Sequence, residues 1–113
     1  MTLKPSDLAN MYTMFKGMRP LNRWKLPPVE DITFEVDDAL DCLGSYCHDG
    51  DKHIITISRA KSSHLATIQK TLCHEIIHMC RGEHPYKYLL HDAYFLRRST
   101  AIALEFGFDP LEL

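Results

Sequence analysis

Apolar side chains recur at helical spacing near the start of the chain, at Leu8, Met11, Tyr12 and Phe15. Ser6-Asp7 offers an N-cap before them and Gly17 a stop after them, so the first expected element is a helix. Residues 18–31 hold Pro20, Pro27 and Pro28 and read as an extended connector. From Ile32 to Val36 the period shortens to two, with Ile, Phe and Val alternating with Thr and Glu, the pattern of a half-buried strand. Leu43 to His48 is a weaker strand candidate, Asp49-Gly50 is a hairpin turn signal, and His53 to Ser58 is β-branched and strand-like. The second and third strands are expected to pair as an antiparallel hairpin with the first strand nearby. The helical period then returns. Ser62 or Ser63 can cap a helix running to about Arg81, ended by Gly82, with Pro85 preventing its continuation. A last helix is expected from about Tyr88 to Phe106, stopping at Gly107 with Pro110 beyond. The order α-β-β-β-α-α predicts a small α+β domain with an N-terminal helix, a three-stranded, mostly antiparallel sheet and two further helices.

The second helix carries His74-Glu75-Ile76-Ile77-His78, a His-Glu-x-x-His motif. Residues four apart on a helix project from one face, about 5–6 Å apart at Cβ, so both imidazoles can reach one metal at about 2.0–2.1 Å. On a wheel at about 100° per residue, His78 falls about 40° from His74 and Glu75 about 100° from it. Glu75 can therefore reach a water on the metal without ligating the metal. Leu65, Leu72, Ile76 and Met79 fall on the opposite side, so the expected helix has a core face and, across from it, a histidine face. The motif alone is a hypothesis that needs context, and the flanking strand, amphipathic helix and later histidines supply it.

A catalytic zinc takes three protein ligands and leaves one position open. Two histidines can be the third. His91 precedes Phe95, Ile102 and Phe106 on the same side of the last helix, and a ligand on a packed helix is well positioned. His84 follows Gly82 and precedes Pro85 in a loop, and its short spacer costs less ordering entropy. His91 is the expected third ligand and His84 the alternative. His48, His53 and His64 read as surface histidines. Tyr86, Tyr88, Tyr94 and Arg97 are candidate oxyanion helpers.

Length and composition narrow the setting. The 113 residues and 45% hydrophobic content fit one soluble domain, residues 1–113, which buries roughly two-thirds of its unfolded surface. Apolar runs of a few residues are far short of the ~20 needed for a membrane span. The formal charge of −2 supplies no global field for nucleic acid, although Arg19, Arg23, Trp24 and Lys25 form a small basic-aromatic patch. The N-terminus lacks the apolar core of a secretory signal, so the expected compartment is the cytoplasm. Cys42, Cys47, Cys73 and Cys80 lack paired Cys-x-x-Cys spacing and read as free, mostly buried thiols.

Thr71-Leu-Cys-His-Glu-Ile-Ile-His78, then His91-Asp-Ala-Tyr-Phe95 and Gly107-Phe-Asp-Pro110, resembles the SprT-like zinc metallopeptidases, which include the Spartan proteases acting on DNA–protein crosslinks. Gly44-Ser-Tyr-Cys and Ile54-Ile-Thr-Ile-Ser58 resemble the hairpin edge that leads into that family's active-site helix, so the likeness covers roughly residues 32–110. It implies a zincin-like domain holding Zn2+ through His74, His78 and His91, with Glu75 as general base, hydrolysing a protein or peptide substrate that can be DNA-associated. Position 92 is Asp where Spartan-type members usually have Gly. Residues 74–84 also read His-Glu-x-x-His-x-x-x-Gly-x-His, which resembles the related WLM metallopeptidases and would make His84 the third ligand. Two other classes stay open: a zinc-stabilised binding module that cuts nothing, and a DNA-associated adaptor using the basic segment Lys16 to Lys25. Oligomeric state, cleavage specificity and the choice among zinc, manganese and cobalt are not fixed by the sequence.

Overall fold

The structure, a computed structural model, describes residues 2–62, 64–81 and 93–113. Its first helix, α1, spans Pro5–Lys16 and buries Leu8, Tyr12 and Phe15. The helix begins before the expected Ser6-Asp7 cap. Pro5 takes the first helical position, where its fixed φ and missing N–H cost nothing, and the Asp7 carboxylate accepts the Lys4 amide at 3.0 Å from inside the first turn. The connector is not uniformly extended: it contains short 3-10 turns at Leu21–Arg23 and Val29–Asp31. These turns bury Leu21 and set Trp24 against the core.

Three strands follow: β1 (Ile32–Asp37), β2 (Gly44–Asp49) and β3 (Lys52–Ser58). β2 and β3 form the expected antiparallel hairpin, pairing Tyr46 with Ile55 and His48 with His53. The two-residue loop is Gly50-Asp51 rather than Asp49-Gly50, with Gly50 at φ 61° in the first central position, as type II′ hairpins require. The expectation of a mostly antiparallel sheet needs correction. Strand order is β1-β3-β2 and β1 runs parallel to β3, so the sheet is mixed. β3 takes the central place, which buries Ile55 and Ile57 completely. Residues 38–43 must therefore carry the chain across the end of β3 to its other side. Main-chain and side-chain bonds hold that crossing: the Ser58 amide donates to Leu43 O at 2.9 Å, the Ser58 hydroxyl to Ala39 O at 2.6 Å, and Arg59 pairs with Asp38.

The second helix, α2, spans Leu65–Arg81 and the third, α3, spans Ala93–Phe106. Ser62 lies too far upstream to cap α2, and the other cap candidate, Ser63, lies outside the described residues. Leu72, Ile76 and Met79 are buried as the wheel predicts, but Leu65, the first residue of α2, is 53% exposed. α3 buries Phe95 and Ile102 and ends at Gly107, whose φ of 79° lets the Gly107 and Phe108 amides turn back to Ala103 O. A 3-10 turn at Pro110–Glu112 follows. The helices and sheet share a core built on Tyr12, Phe34, Ile55, Leu72, Ile76 and Ile102. Among the described residues, no helix is long and apolar enough to cross a membrane.

Candidate functional site

α2 projects His74 and His78 from one side, and their Nε2 atoms stand 3.2 Å apart. Phe95, from the first turn of α3, packs against both imidazoles, with centroid separations of 4.7 and 4.8 Å. The opposite edge of the His74 ring is anchored: Nδ1 lies 2.9 Å from the main-chain oxygen of Leu113. A main-chain oxygen only accepts, so Nδ1 carries a proton, and in the neutral ring Nε2 then presents a lone pair. With His74 in that tautomer, the 3.2 Å contact is one in which a His78 Nε2–H donates to His74 Nε2.

Glu75 sits beside this pair and is 5% exposed. Its burial pushes the carboxyl up to about 7. The carboxylate and His74 line a cleft of about 210 Å³ together with Leu43, Gly44, Lys70, Thr71 and Glu112. Leu43 arrives from the 38–43 crossing, Gly44 from the start of β2, and Glu112 from the last turn, so the cleft is assembled from α2 and two segments distant from it in sequence. Gly44 is required by contact: a Cβ there would stand 2.8 Å from Thr71 Cγ2 and 2.9 Å from Thr56 O. β2 thus lies directly against the turn of α2 that precedes His74.

Both third-ligand candidates, His84 and His91, lie outside the described residues, as do Tyr86 and Tyr88. Among the described residues, no three His, Cys, Asp or Glu side chains converge as a metal-binding group. Tyr94 and Arg97, proposed as oxyanion helpers, line a separate groove with Trp24, Arg98 and Ala101. There the Arg98 guanidinium lies 4.3 Å from the Trp24 ring centroid and 4.8 Å from that of Tyr94.

His64 is exposed, as expected. His48 and His53 are not simple surface histidines: both are half-buried, with rings 4.9 Å apart, and the Tyr46 hydroxyl lies 2.8 Å from His53 Nδ1. Desolvation, with the His48 charge adding to it, lowers the His53 pKa. The cysteines are all free, yet only Cys73 is fully buried and Cys80 half-buried, while Cys42 and Cys47 are exposed on or beside β2. Burial raises the Cys73 thiol to about 12 and the Cys80 thiol to about 11, the latter against the opposing pull of Arg98. Neither is a thiolate at neutral pH.

The residues that sequence reasoning missed are Lys70, Glu112 and Leu113. Asp109 ahead of Pro110 is a capping signal that marks the last turn, but nothing local says that the turn docks on α2. Compared with family models, with curated proteins and with solved structures, the chain gives no match in any of the three.

Proposed function

We propose that the chain is a zinc-dependent metallopeptidase with a SprT-like, zincin-type site. The observation that carries this reading is the His74–His78 pair beside a buried carboxylate in a cleft. Two nitrogens on one tetrahedral zinc, at about 2.0–2.1 Å each, stand about 3.3 Å apart, and the two Nε2 atoms are 3.2 Å apart. The donor set also suits the metal, since neutral imidazoles are good zinc ligands. His74 and His78 would hold it with one further histidine, His91 in this reading and His84 in the WLM-like alternative. Bound zinc supplies Lewis acidity, which brings the pKa of a water toward neutrality and polarises a carbonyl.

The chain's own residues do the rest. Glu75 takes the proton of the attacking water and returns it to the leaving amine. β2 is an outer strand of the sheet and begins at the cleft, so its edge, unpaired among the described residues, would offer main-chain groups to an extended peptide. Phe95 excludes water from the flank of the imidazole pair. The substrate is a protein or peptide; the family resemblance extends this to proteins on DNA, and the exposed Arg19, Arg23, Lys25 and Arg97 around Trp24 support that extension. Four free cysteines support a reducing, cytoplasmic setting.

The test combines metal content with one substitution. Protein purified without a metal-affinity tag is expected to carry near one equivalent of zinc by elemental analysis. Glu75→Gln should keep the zinc and lose hydrolysis of a casein-like substrate, because Gln cannot take the proton. Wild-type activity in that variant would remove Glu75 as the base. Zinc without activity in either form would make the chain a zinc-stabilised binding module, and a folded chain that ignores zinc would overturn the reading.

A further inference from the structure

We propose that the turn at Pro110–Glu112 is a positioning element for His74, fixing which imidazole nitrogen faces the cleft. The proposal rests on the metal reading above. Two attachments tie the turn to α2, and they fall in register. Lys70 and His74 are one helical turn apart, and Glu112 and Leu113 are neighbours. Lys70 Nζ meets the Glu112 carboxylate at 2.6 Å, and His74 Nδ1 meets Leu113 O at 2.9 Å. The turn is itself braced, because the Asp109 carboxylate accepts the Leu111 amide at 3.0 Å and Asp109 O accepts the Glu112 amide at 2.9 Å. Apolar burial does not hold its middle, since Leu111 is 94% exposed. Lys70 Nζ also lies 5.9 Å from the Phe108 ring, which places the ammonium over the chain leading into the turn.

The consequence is chemical. A neutral imidazole carries one proton, and either nitrogen can hold it. Leu113 O can only accept, so while the turn is docked the proton stays on Nδ1, the ring does not flip, and the Nε2 lone pair points toward His78. Undocking the turn removes that acceptor from Nδ1, while Phe95 still packs against the ring. Lys70, Asp109 and Glu112 therefore act on metal binding through His74 and are positioning residues.

Two readouts test this. In the metal-free wild-type chain, 15N chemical shifts of the His74 ring should report the Nδ1–H tautomer. In the Asp109→Ala/Glu112→Gln double variant the shifts should move toward a mixture of tautomers. Zinc affinity, measured by competition with a chromophoric chelator, should fall roughly tenfold, the low end of the cost of losing an outer hydrogen bond to a ligand. The charge-swapped pair Lys70→Glu/Glu112→Lys should recover affinity relative to Glu112→Gln alone, which a general loss of packing would not do. An Nε2–H tautomer in the wild type, or zinc affinity unchanged in the double variant, overturns the proposal and leaves the metallopeptidase reading standing. A wild-type chain with the Nδ1–H tautomer and no zinc uptake overturns the metallopeptidase reading, and with it the purpose assigned to the turn.

Discussion

Glu75 concentrates the conflict between folding and function. A carboxyl that is 5% exposed is better placed protonated than charged, which is why burial raises it from 4.5 to about 7. In the unfolded chain it ionises in the ordinary carboxylate range. As pH rises from about 4.5 through 7, the unfolded state therefore loses its proton first and gains relative to the folded one. Above that window the penalty is constant, on the order of 3 kcal/mol. The metal-free Glu75→Gln variant is accordingly expected to melt above the metal-free wild type at pH 8, with the gap closing toward pH 5. Thermal denaturation of the two chains at both pH values, with chelator present, measures this. Equal melting temperatures at pH 8 would mean that the carboxylate is solvated after all.

The hairpin and α2 meet at a point where there is no room for a side chain. Gly44 occupies that point, with Thr71 Cγ2 on one side and the Thr56 carbonyl on the other. Gly44→Ala must push β2 away from the helix, since a strand carbonyl cannot swing aside as the end of a long side chain can. Overpacking of this kind costs about 1–3 kcal/mol, and urea denaturation of the variant should show a loss in that range. Adding Thr71→Ala should recover only part of it, because Thr56 O remains. The same displacement would shift Leu43 and the start of β2 relative to His74, so the element contact that sets stability also sets the width of the cleft.

At the scale of the molecule, the site is where three distant parts of the chain converge on α2. The end of the 38–43 crossing and the start of β2 deliver Leu43 and Gly44, the start of α3 delivers Phe95, and the final turn delivers Glu112 and Leu113. The segment carrying His84 and His91 joins α2 to α3, and Phe95 fixes the start of α3 against both imidazoles. The proposed third ligand, His91, lies four residues before Phe95 in the sequence. His91→Ala is expected to weaken zinc binding by several orders of magnitude and His84→Ala by less than tenfold, both by chelator competition. The reverse ranking would give the WLM-like arrangement, and equal losses would imply a closed site with four histidines.

Periodicity and short-range chemistry made much of this legible in the sequence. The helical repeat placed Leu72, Ile76 and Met79 inward on α2, the turn signal with its flanking β-branched residues gave the β2–β3 hairpin, and Gly107 marked the end of α3. The four-residue spacing of His74 and His78 put both imidazoles on one face, because helix geometry alone dictates it. What local pattern could not decide was which strand takes the centre. That depends on which one buries best among three, and it made β1 parallel to β3. The half-burial of His48 and His53, whose rings pack on each other and, for His53, on Tyr46, and the exposure of Leu65 are likewise set by packing rather than by local pattern. The docking of Leu113 on His74 joins residues 39 apart. Such contacts have no signature in either segment, because each is satisfied only by the other's position in space.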